Sequence, residues 1–266
     1  MASLVVVTRS YPKVNIFLKI SGKRDNYHEI VSRFMKVYSI YDTFSIYKSD
    51  CDTFTLDGEF GCKLEQNTIY KAYLLLKKDY KEVEEFYKLH KIVIDKKVPF
   101  FAGLGGGSSN CATFLLLTNR LCKLNLSKEQ LAKIGIQIGA DIPFFIYEYN
   151  SANVTGIGEK VEEFRETKLN IEIFTPDIKC NTSEIFKTFR EKFYKEISIE
   201  ETKILLNTKS IDILNTMSIN DANDLYEPVK YLYKDMTPTN FKLDIKNTFF
   251  SGSGSSFFNI LQKPKV

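Results

Sequence analysis

The strongest constraint on this chain is a glycine-rich turn at residues 103–109, which reads Gly-Leu-Gly-Gly-Gly-Ser-Ser. Four of the 13 glycines lie in this turn, so glycine is a local requirement and not background composition. Backbone without a Cβ atom can bend tightly, and an anion can approach its N–H groups closely. The pattern predicts a short strand at 92–95 before the turn and a buried helix from Ser108 after it. Because a helix N-terminus carries free N–H groups and a partial positive charge, the sequence predicts a phosphate-binding turn.

Two common phosphate-binding motifs do not fit this turn. A Walker A loop needs Gly-Lys-Ser or Gly-Lys-Thr after four spacer residues, and no lysine follows these glycines. A dinucleotide-binding fingerprint needs glycine at the position of Ser108. The hydroxyl groups of Ser108 and Ser109 suit phosphate oxygens or a magnesium ion. A plain flexible turn between strand and helix stays open as an alternative from this feature alone.

Composition and charge are those of an ordinary globular protein, with 44% hydrophobic and 26% charged residues in 266. The net charge of +4 suits a protein that handles an anionic metabolite, whereas a nucleic-acid-binding protein usually has a stronger, clustered excess of basic residues. No apolar segment reaches the length of a membrane span, and the apolar start of the chain is too short for a signal peptide. We therefore expect a soluble protein that binds neither nucleic acid nor membranes.

The cysteines indicate a reducing compartment. The five cysteines form no Cys-x-x-Cys pair, and the chain has only two histidines, so a zinc site is not expected. An odd number of cysteines cannot all pair internally, and reduced thiols in a cytoplasmic protein are the simpler interpretation. The sequence has no clear signal for assembly, and we expect a monomer or a weak homodimer.

The order of the predicted elements indicates an α+β protein. Predicted strands cover residues 4–8, 13–20, 34–40 and 42–47. Predicted helices begin near residues 67, 108 and 127, the last with the capping box Ser127-Lys-Glu-Gln130. Beyond residue 150 the chain becomes more helical, and a strand at 248–260 surrounds a second glycine and serine cluster at 251–256. We expect two domains, at 1–150 and 151–266, with a cleft between them.

Several separated segments resemble one kinase superfamily. Residues 99–109 are similar to the phosphate loop of the galactokinase, homoserine kinase, mevalonate kinase and phosphomevalonate kinase (GHMP) superfamily. The segments that resemble the motifs of its CDP-methylerythritol kinase family are residues 12–19, 25–29, 139–145 and 251–258. Shorter matches lie at Asn67, 156–159, 185–187 and 223–225. The resemblance covers nearly the whole chain and implies a two-domain GHMP kinase fold, with an ATP-binding N-terminal domain and the active site in the cleft between the domains.

The chain departs from the family pattern at three positions. Pro12 replaces an alanine, Asn26 replaces the usual glycine before Tyr-His, and Phe101 replaces a small residue in the phosphate loop. Phe101 matters most, because a bulky side chain in this loop can alter the approach of the nucleotide. We expect its ring to point away from the phosphates.

The resemblance implies transfer of the γ-phosphoryl group of ATP to the tertiary 2-hydroxyl of the methylerythritol unit of a cytidine diphosphate sugar alcohol, in the non-mevalonate isoprenoid pathway. It implies that Asp141 accepts or orients the hydroxyl proton, and that Lys13 keeps Asp141 ionised and stabilises developing charge. A tertiary alcohol is crowded and weakly acidic, so a positioned base should contribute on the order of 10²–10⁴ in rate. Without the resemblance, Asp141 is explained equally well as a loop residue whose side chain caps local amides.

The resemblance also implies which residues bind the two substrates. The implied ATP-binding residues are Asn67, Lys96, Pro99, Gly103, Leu104, Gly105, Gly106, Gly107, Ser108 and Ser109. The implied residues for the second substrate are Asn15, Tyr27, His28, Asp141 and Phe186. Tyr27 and Phe186 are expected to sandwich the cytosine, and His28 to read its edge. Mg²⁺ is expected with ATP; Ser109 is one candidate ligand, and the metal ligands otherwise stay open.

Three other functions compete with this interpretation. The nearest is a sister GHMP kinase that acts on homoserine, mevalonate or phosphomevalonate, against which the Tyr27-His28 pair argues because it suits a cytidine. A single-stranded RNA-binding module would interleave its aromatic residues with basic ones on one platform, and here they are spread along the chain. A catalytically inactive nucleotide sensor is disfavoured because Lys13 and Asp141 are both present.

Overall fold

The computed structural model describes residues 3–25 and 27–261, so the departure at Asn26 lies outside the described residues. By its internal contacts the chain divides into two compact units, each assembled from three separate segments. Unit 1 contains the described residues up to Pro12, Ile40–Phe100 and Gly106–Glu148. Unit 2 contains Lys13–Ser39, Phe101–Gly105 and the described residues from Tyr149 onward. The chain passes from unit 1 to unit 2 for the last time between Glu148 and Tyr149, two residues before the domain boundary expected between residues 150 and 151. That domain boundary stays a prediction.

The described strands, in chain order, are β1 (Leu4–Ser10), β2 (Lys13–Arg24), β3 (Tyr27–Lys36), β4 (Asp42–Lys48), β5 (Leu56–Asp57), β6 (His90–Asp95), β7 (Ser151–Gly156), β8 (Lys160–Glu163), β9 (Ile171–Phe174), β10 (Phe249–Phe250) and β11 (Phe257–Ile260). The described helices are α1 (Thr68–Asp79), α2 (Lys81–Lys88), α3 (Gly106–Leu121), α4 (Lys128–Ile136), α5 (Ile142–Tyr147), α6 (Thr182–Thr188), α7 (Ile199–Asn207), α8 (Ser210–Thr216), α9 (Ile219–Ala222) and α10 (Tyr226–Leu232). Within the described residues, no helix is long and apolar enough to cross a membrane.

Unit 1 is built on a four-stranded sheet with the strand order β1-β4-β6-β5. Apolar residues alternate along β4 and β6, and the register pairs Phe44 with Ile94 and Ile46 with Ile92. All four of these side chains are buried, so one face of the sheet lies on the core. Helix α3 is buried at most of its positions and packs against α1 and α5, which explains its apolar sequence.

Unit 2 contains two antiparallel sheets, with the strand orders β2-β3-β7-β8 and β10-β11-β9. Every residue from Lys13 to Ile20 on β2 is buried. A strand that is covered on both faces needs apolar residues at successive positions, so the polar ones in such a run are the informative exceptions. On β2 these exceptions are Lys13, Asn15 and Lys19.

Among the element boundaries that differ from the sequence predictions, two concern residues implied in binding. The strand predicted at 34–40 is wrong in its bounds, because β3 begins at Tyr27 and ends at Lys36. The helix predicted from Ser108 begins at Gly106. Because glycine is a poor helix former, the sequence pattern places the start of this helix two residues too late. At Gly106 a Cβ atom would lie 2.8 Å from Val98 Cγ1, so packing requires glycine inside this helix.

Candidate active site

The first group of site residues, in unit 1, lies at the N-terminus of α3. Gly106 and Gly107 are its first residues, and Ser108 and Ser109 follow in the first turn. Ser109 is buried, and its hydroxyl donates a hydrogen bond of 2.7 Å to the carbonyl oxygen of Tyr11. Ser109 thus ties the helix to the chain just after β1, whereas Ser108 is only partly buried. Of the two serines, Ser108 has the hydroxyl that is better placed to meet a ligand.

A second helix N-terminus adjoins the first. Asn67 is the N-cap of α1, and its side chain accepts a hydrogen bond of 2.9 Å from the backbone N–H of Ile69. The hydroxyl of Thr68 donates a 2.9 Å hydrogen bond to the carbonyl oxygen of Gly107. Two helix N-termini therefore bring their free N–H groups and partial positive charges to one place, which favours an anionic ligand.

Lys96 and Pro99, both implied in ATP binding, lie on the segment that follows β6. The ammonium group of Lys96 forms a buried ion pair with the carboxylate of Asp42. Pro99 is partly buried and leads towards the glycine turn. Asp42 was not predicted as a site residue, because it lies at the junction of the predicted strands 34–40 and 42–47, where an aspartate is typical of a turn.

Asp141 immediately precedes α5 and is partly buried. Its side chain makes no capping hydrogen bond to α5, and its functional role stays a prediction. At Gly139 a Cβ atom would lie 3.8 Å from the Ser108 hydroxyl oxygen, so the segment before Asp141 runs beside the N-terminus of α3.

The second group of site residues, in unit 2, surrounds Lys13 at the start of β2. Lys13 is only 3% exposed. Its ammonium group donates hydrogen bonds to Asn15 Oδ1 at 2.7 Å and to the carbonyl oxygen of Gly103 at 3.1 Å. It also lies 4.5 Å from the centre of the Phe34 ring, which adds a cation–π contact. The backbone N–H of Lys13 bonds the carbonyl oxygen of Leu104 at 2.9 Å.

The second glycine and serine cluster packs on the same residues. Ser251 donates a hydrogen bond of 3.0 Å from its hydroxyl to the carbonyl oxygen of Gly103. A Cβ atom at Gly252 would lie 3.4 Å from Asn15 Oδ1. Asn15 in turn donates from Nδ2 to the hydroxyl oxygen of Ser32 at 2.9 Å. The cluster therefore lies beside Asn15 and the glycine turn, and the buried polar residues of β2 are satisfied by defined partners.

Two glycines of the turn have left-handed backbone angles, with φ of +72° at Gly103 and +67° at Gly105. At Gly103 a Cβ atom would lie 2.1 Å from the carbonyl oxygen of Ser251, so no larger residue fits. Phe101 also has a positive φ, of +53°, and its side chain is 59% exposed. Phe101 is thus neither part of the core nor packed under the turn.

His28 and Phe186 come together in unit 2, although they are far apart in sequence. Their ring centres are 5.3 Å apart and the ring planes differ by 26°, which is a stacked arrangement. His28 is 7% exposed, and among the described residues its Nε2 has no hydrogen-bond partner. Burial lowers the pKa of His28 below its usual value, and the charges of Arg190 and Lys23 lower it further. Tyr27, beside it on β3, is 64% exposed.

The fold defines the class to which the chain belongs. Residues 67–149 match the family model described as the GHMP kinases N terminal domain. A crystal structure described as 4-(cytidine 5'-diphospho)-2C-methyl-D-erythritol kinase superposes with a TM-score of 0.74 and 24% identity, over 97% of this chain and 91% of the other. A mevalonate kinase structure superposes with a TM-score of 0.62 and 15% identity, over 97% and 91% of the two chains. The chain has the GHMP kinase fold.

Sequence relatives that match over nearly their full length show which family of GHMP kinases the chain belongs to. A 4-diphosphocytidyl-2-C-methyl-D-erythritol kinase of Sulfurimonas denitrificans is 49% identical, over 97% of this chain and 98% of the relative. A protein of the same name from Sulfurovum sp. is 45% identical, over 94% of this chain and 97% of the relative. The chain belongs to the family of 4-diphosphocytidyl-2-C-methyl-D-erythritol kinases, and it is an ATP-dependent kinase.

Proposed function

We propose that this kinase transfers the γ-phosphoryl group of ATP to the 2-hydroxyl of 4-diphosphocytidyl-2-C-methyl-D-erythritol, in the non-mevalonate isoprenoid pathway. The observation that carries the proposal is the 49% identity, over nearly the full length of both chains, to a relative with that name. The stacked pair of His28 and Phe186 adds support, because it brings together two of the residues that the resemblance implies in binding the cytosine.

Phosphoryl transfer depends on in-line positioning and on neutralisation of charge, with little covalent help from the protein. The triphosphate lies at the N-terminus of α3 and against the glycine turn. Lys13 stabilises the charge that develops at the transferring group, and its buried ammonium, bonded to Asn15 and Gly103, suits this role. Asp141 accepts or orients the proton of the attacking hydroxyl.

Mg²⁺ accompanies ATP in this proposal and neutralises charge on its phosphates. Magnesium in kinases is bound by few protein oxygen atoms together with the phosphates themselves. The Ser108 hydroxyl is partly exposed at the N-terminus of α3 and would serve as one such oxygen. Ser109 fits less well than Ser108, because it is only 4% exposed.

The cytosine binds between Tyr27 and Phe186, beside His28. The unpartnered Nε2 of His28 is available to a polar edge of the base, and the lowered pKa keeps the ring neutral, so that it pairs without a charge. A cytoplasmic location belongs to the same proposal, and the five free cysteines support it because disulfides are rare in reducing compartments. A monomer or a weak homodimer stays a prediction.

The proposal is tested by following ADP release from purified protein with each candidate alcohol. We expect turnover with 4-diphosphocytidyl-2-C-methyl-D-erythritol, and kcat/KM at least about 100-fold lower with homoserine, mevalonate and phosphomevalonate. Phosphorus NMR of the product should show a new phosphomonoester on the tertiary carbon of the methylerythritol unit. Equal or better turnover with one of the other alcohols would assign the chain to a sister activity.

A further inference from the structure

One buried carboxylate holds the chain on both sides of the glycine turn. Asp42, the first residue of β4, is fully buried. Its Oδ1 accepts hydrogen bonds of 2.8 Å from the backbone N–H groups of Lys97 and Val98. Its Oδ2 accepts from the ammonium of Lys96 and, at 3.0 Å, from Nδ2 of Asn110. Residues 96–98 precede the turn and are separated from it by residues 99–102, and Asn110 comes directly after the turn, in the first half of α3.

The bond to Asp42 fixes the orientation of the Asn110 side-chain amide, and this orientation is unfavourable for its oxygen atom. Asn110 is 2% exposed, and among the described residues its Oδ1 has no hydrogen-bond partner. The amide cannot be reversed to satisfy that oxygen, since the carboxylate of Asp42 can only accept and needs Nδ2. A buried acceptor without a partner is destabilising. The amide is therefore oriented by Asp42, and gain in stability alone does not account for it.

Lys96 compensates for the charge of Asp42 at the N-terminus of α3. A Cβ atom on Gly106 would lie 3.6 Å from the Lys96 ammonium nitrogen, so that nitrogen lies beside the first residue of the helix. An uncompensated buried carboxylate at this place would repel a phosphate. With Lys96 paired to it, the carboxylate keeps its four hydrogen bonds and its charge is compensated.

We propose that Asp42 is a positioning residue for ATP. It holds Lys96 beside the N-terminus of α3 and fixes the segments on both sides of the glycine turn, so that the phosphate-binding amides are oriented before the nucleotide arrives. This rests on the proposed function only in that the N-terminus of α3 binds the triphosphate of ATP. The identity of the alcohol does not enter, so ATP binding is measured without any acceptor.

The first test is Asn110→Ala, which removes the bond from α3 and leaves the other three bonds to Asp42. Alanine favours the helix and deletes the unpartnered oxygen, so we expect the melting temperature to stay within about 5 °C. We expect the Kd for ATP, measured by titration calorimetry, to rise about fivefold or more, because the turn is no longer preorganised. An unchanged Kd in a folded variant would overturn the role of this contact.

The second test separates charge from packing with Lys96→Met, Asp42→Asn and the double variant. Lys96→Met leaves the buried carboxylate uncompensated, and we expect the largest loss of ATP affinity, about tenfold or more. The double variant removes both charges, and its Kd for ATP should be at least about threefold lower than that of Lys96→Met. A purely structural ion pair would also recover, but the melting temperature and the affinity for ATP would then fall and recover together. A double variant that binds ATP as weakly as Lys96→Met, or a Kd that only follows the melting temperature, would overturn the proposal.

A matched control exists in unit 2. Asp224 is also a buried carboxylate paired with a lysine: it accepts from Lys19 at 2.5 Å and from the backbone N–H of Ile20 at 2.9 Å. Asp224→Asn should lower the melting temperature while the Kd for ATP stays within about twofold. If Asp224→Asn weakened ATP binding as much as Asp42→Asn, general destabilisation would explain the weaker binding in both variants. That result would contradict the positioning role of Asp42.

Discussion

The ammonium group of Lys13 donates a hydrogen bond of 3.1 Å to the carbonyl oxygen of Gly103. This bond joins the first residue of a fully buried strand segment to the glycine turn within one compact unit. The same ammonium bonds Asn15 Oδ1 at 2.7 Å, so its position is defined from two sides. A buried cation that is held in this way needs little rearrangement to stabilise charge on a transferring phosphoryl group.

Lys13→Met should therefore reduce kcat by about 10² or more, because the methionine side chain keeps much of the volume and loses the charge. Single-turnover kinetics with saturating ATP measure the chemical step. Lys19→Met is the matched control, since Lys19 lies on the same strand and is also buried, with Asp224 as its partner. If both variants lost activity equally, the effect would belong to the strand and not to the Lys13 ammonium.

Asp141→Asn should lower turnover by roughly 10² or more while the Kd for ATP changes only a few-fold. The amide has the same shape and cannot accept the hydroxyl proton. The melting temperature of the variant, measured alongside, separates a loss of catalysis from a loss of stability. Steady-state kinetics and calorimetric titration with ATP separate the two effects, and unchanged turnover would remove Asp141 from the mechanism.

Tyr27→Ala and Phe186→Ala should each raise the KM for the cytidine substrate about tenfold and spare the KM for ATP. Tyr27 is 64% exposed, so its truncation should leave stability nearly unchanged. Phe186 stacks on His28, and its truncation should also lower stability somewhat. Initial-rate kinetics with each substrate varied in turn give both constants. A proportional rise in both KM values would count against an aromatic sandwich.

Gly103→Ala should destabilise the protein by at least about 2 kcal/mol, because alanine is strained at φ +72° and its Cβ atom would lie 2.1 Å from the Ser251 carbonyl oxygen. Gly107→Ala is the matched control. It lies in α3, where the nearest atom to an added Cβ is Thr68 Oγ1 at 3.8 Å. Its stability should change by less than about 1 kcal/mol. Urea unfolding of both variants tests the contrast, and equal losses would contradict it.

His28 should make stability depend on pH on the acidic side. Its pKa is lowered in the folded protein by burial and by the charges of Arg190 and Lys23, so the unfolded chain takes up the proton first as the pH falls. Stability should therefore drop as the pH falls below about 6.5, and the loss should level off below the folded pKa. Above that window both states are neutral, and His28 contributes no pH dependence.

The measurement is urea unfolding of the wild type and of His28→Phe between pH 5 and 7.5. Phenylalanine does not titrate and suits a site lined by Phe186 and Phe189. We expect the free energy of unfolding of the variant to vary less with pH over this window. A variant with the same slope as the wild type would show that other groups cause the acid sensitivity.

Several features of this protein could be predicted from its sequence, because they depend on neighbouring residues. The glycine turn before α3, the capping box of Ser127 and Gln130, and the buried strand with Lys13 and Asn15 are local patterns of backbone freedom, hydrogen bonding and burial. The motifs in their order along the chain indicated the GHMP kinase class, which the comparisons confirm. Local pattern placed the start of α3 two residues late, since the glycines that packing requires are poor helix formers.

Only the tertiary structure decided which distant groups share a contact. Asp42 looked like a turn residue, yet it bonds the segments on both sides of the glycine turn. Ser109 was one candidate metal ligand from the sequence, and the structure shows it buried, with its hydroxyl bonded to the carbonyl oxygen of Tyr11. His28 meets Phe186 only because β3 and α6 pack together in unit 2. The physical reason is that a hydrogen bond or a stacked pair forms over a few ångströms, and packing alone sets distances between residues far apart in sequence.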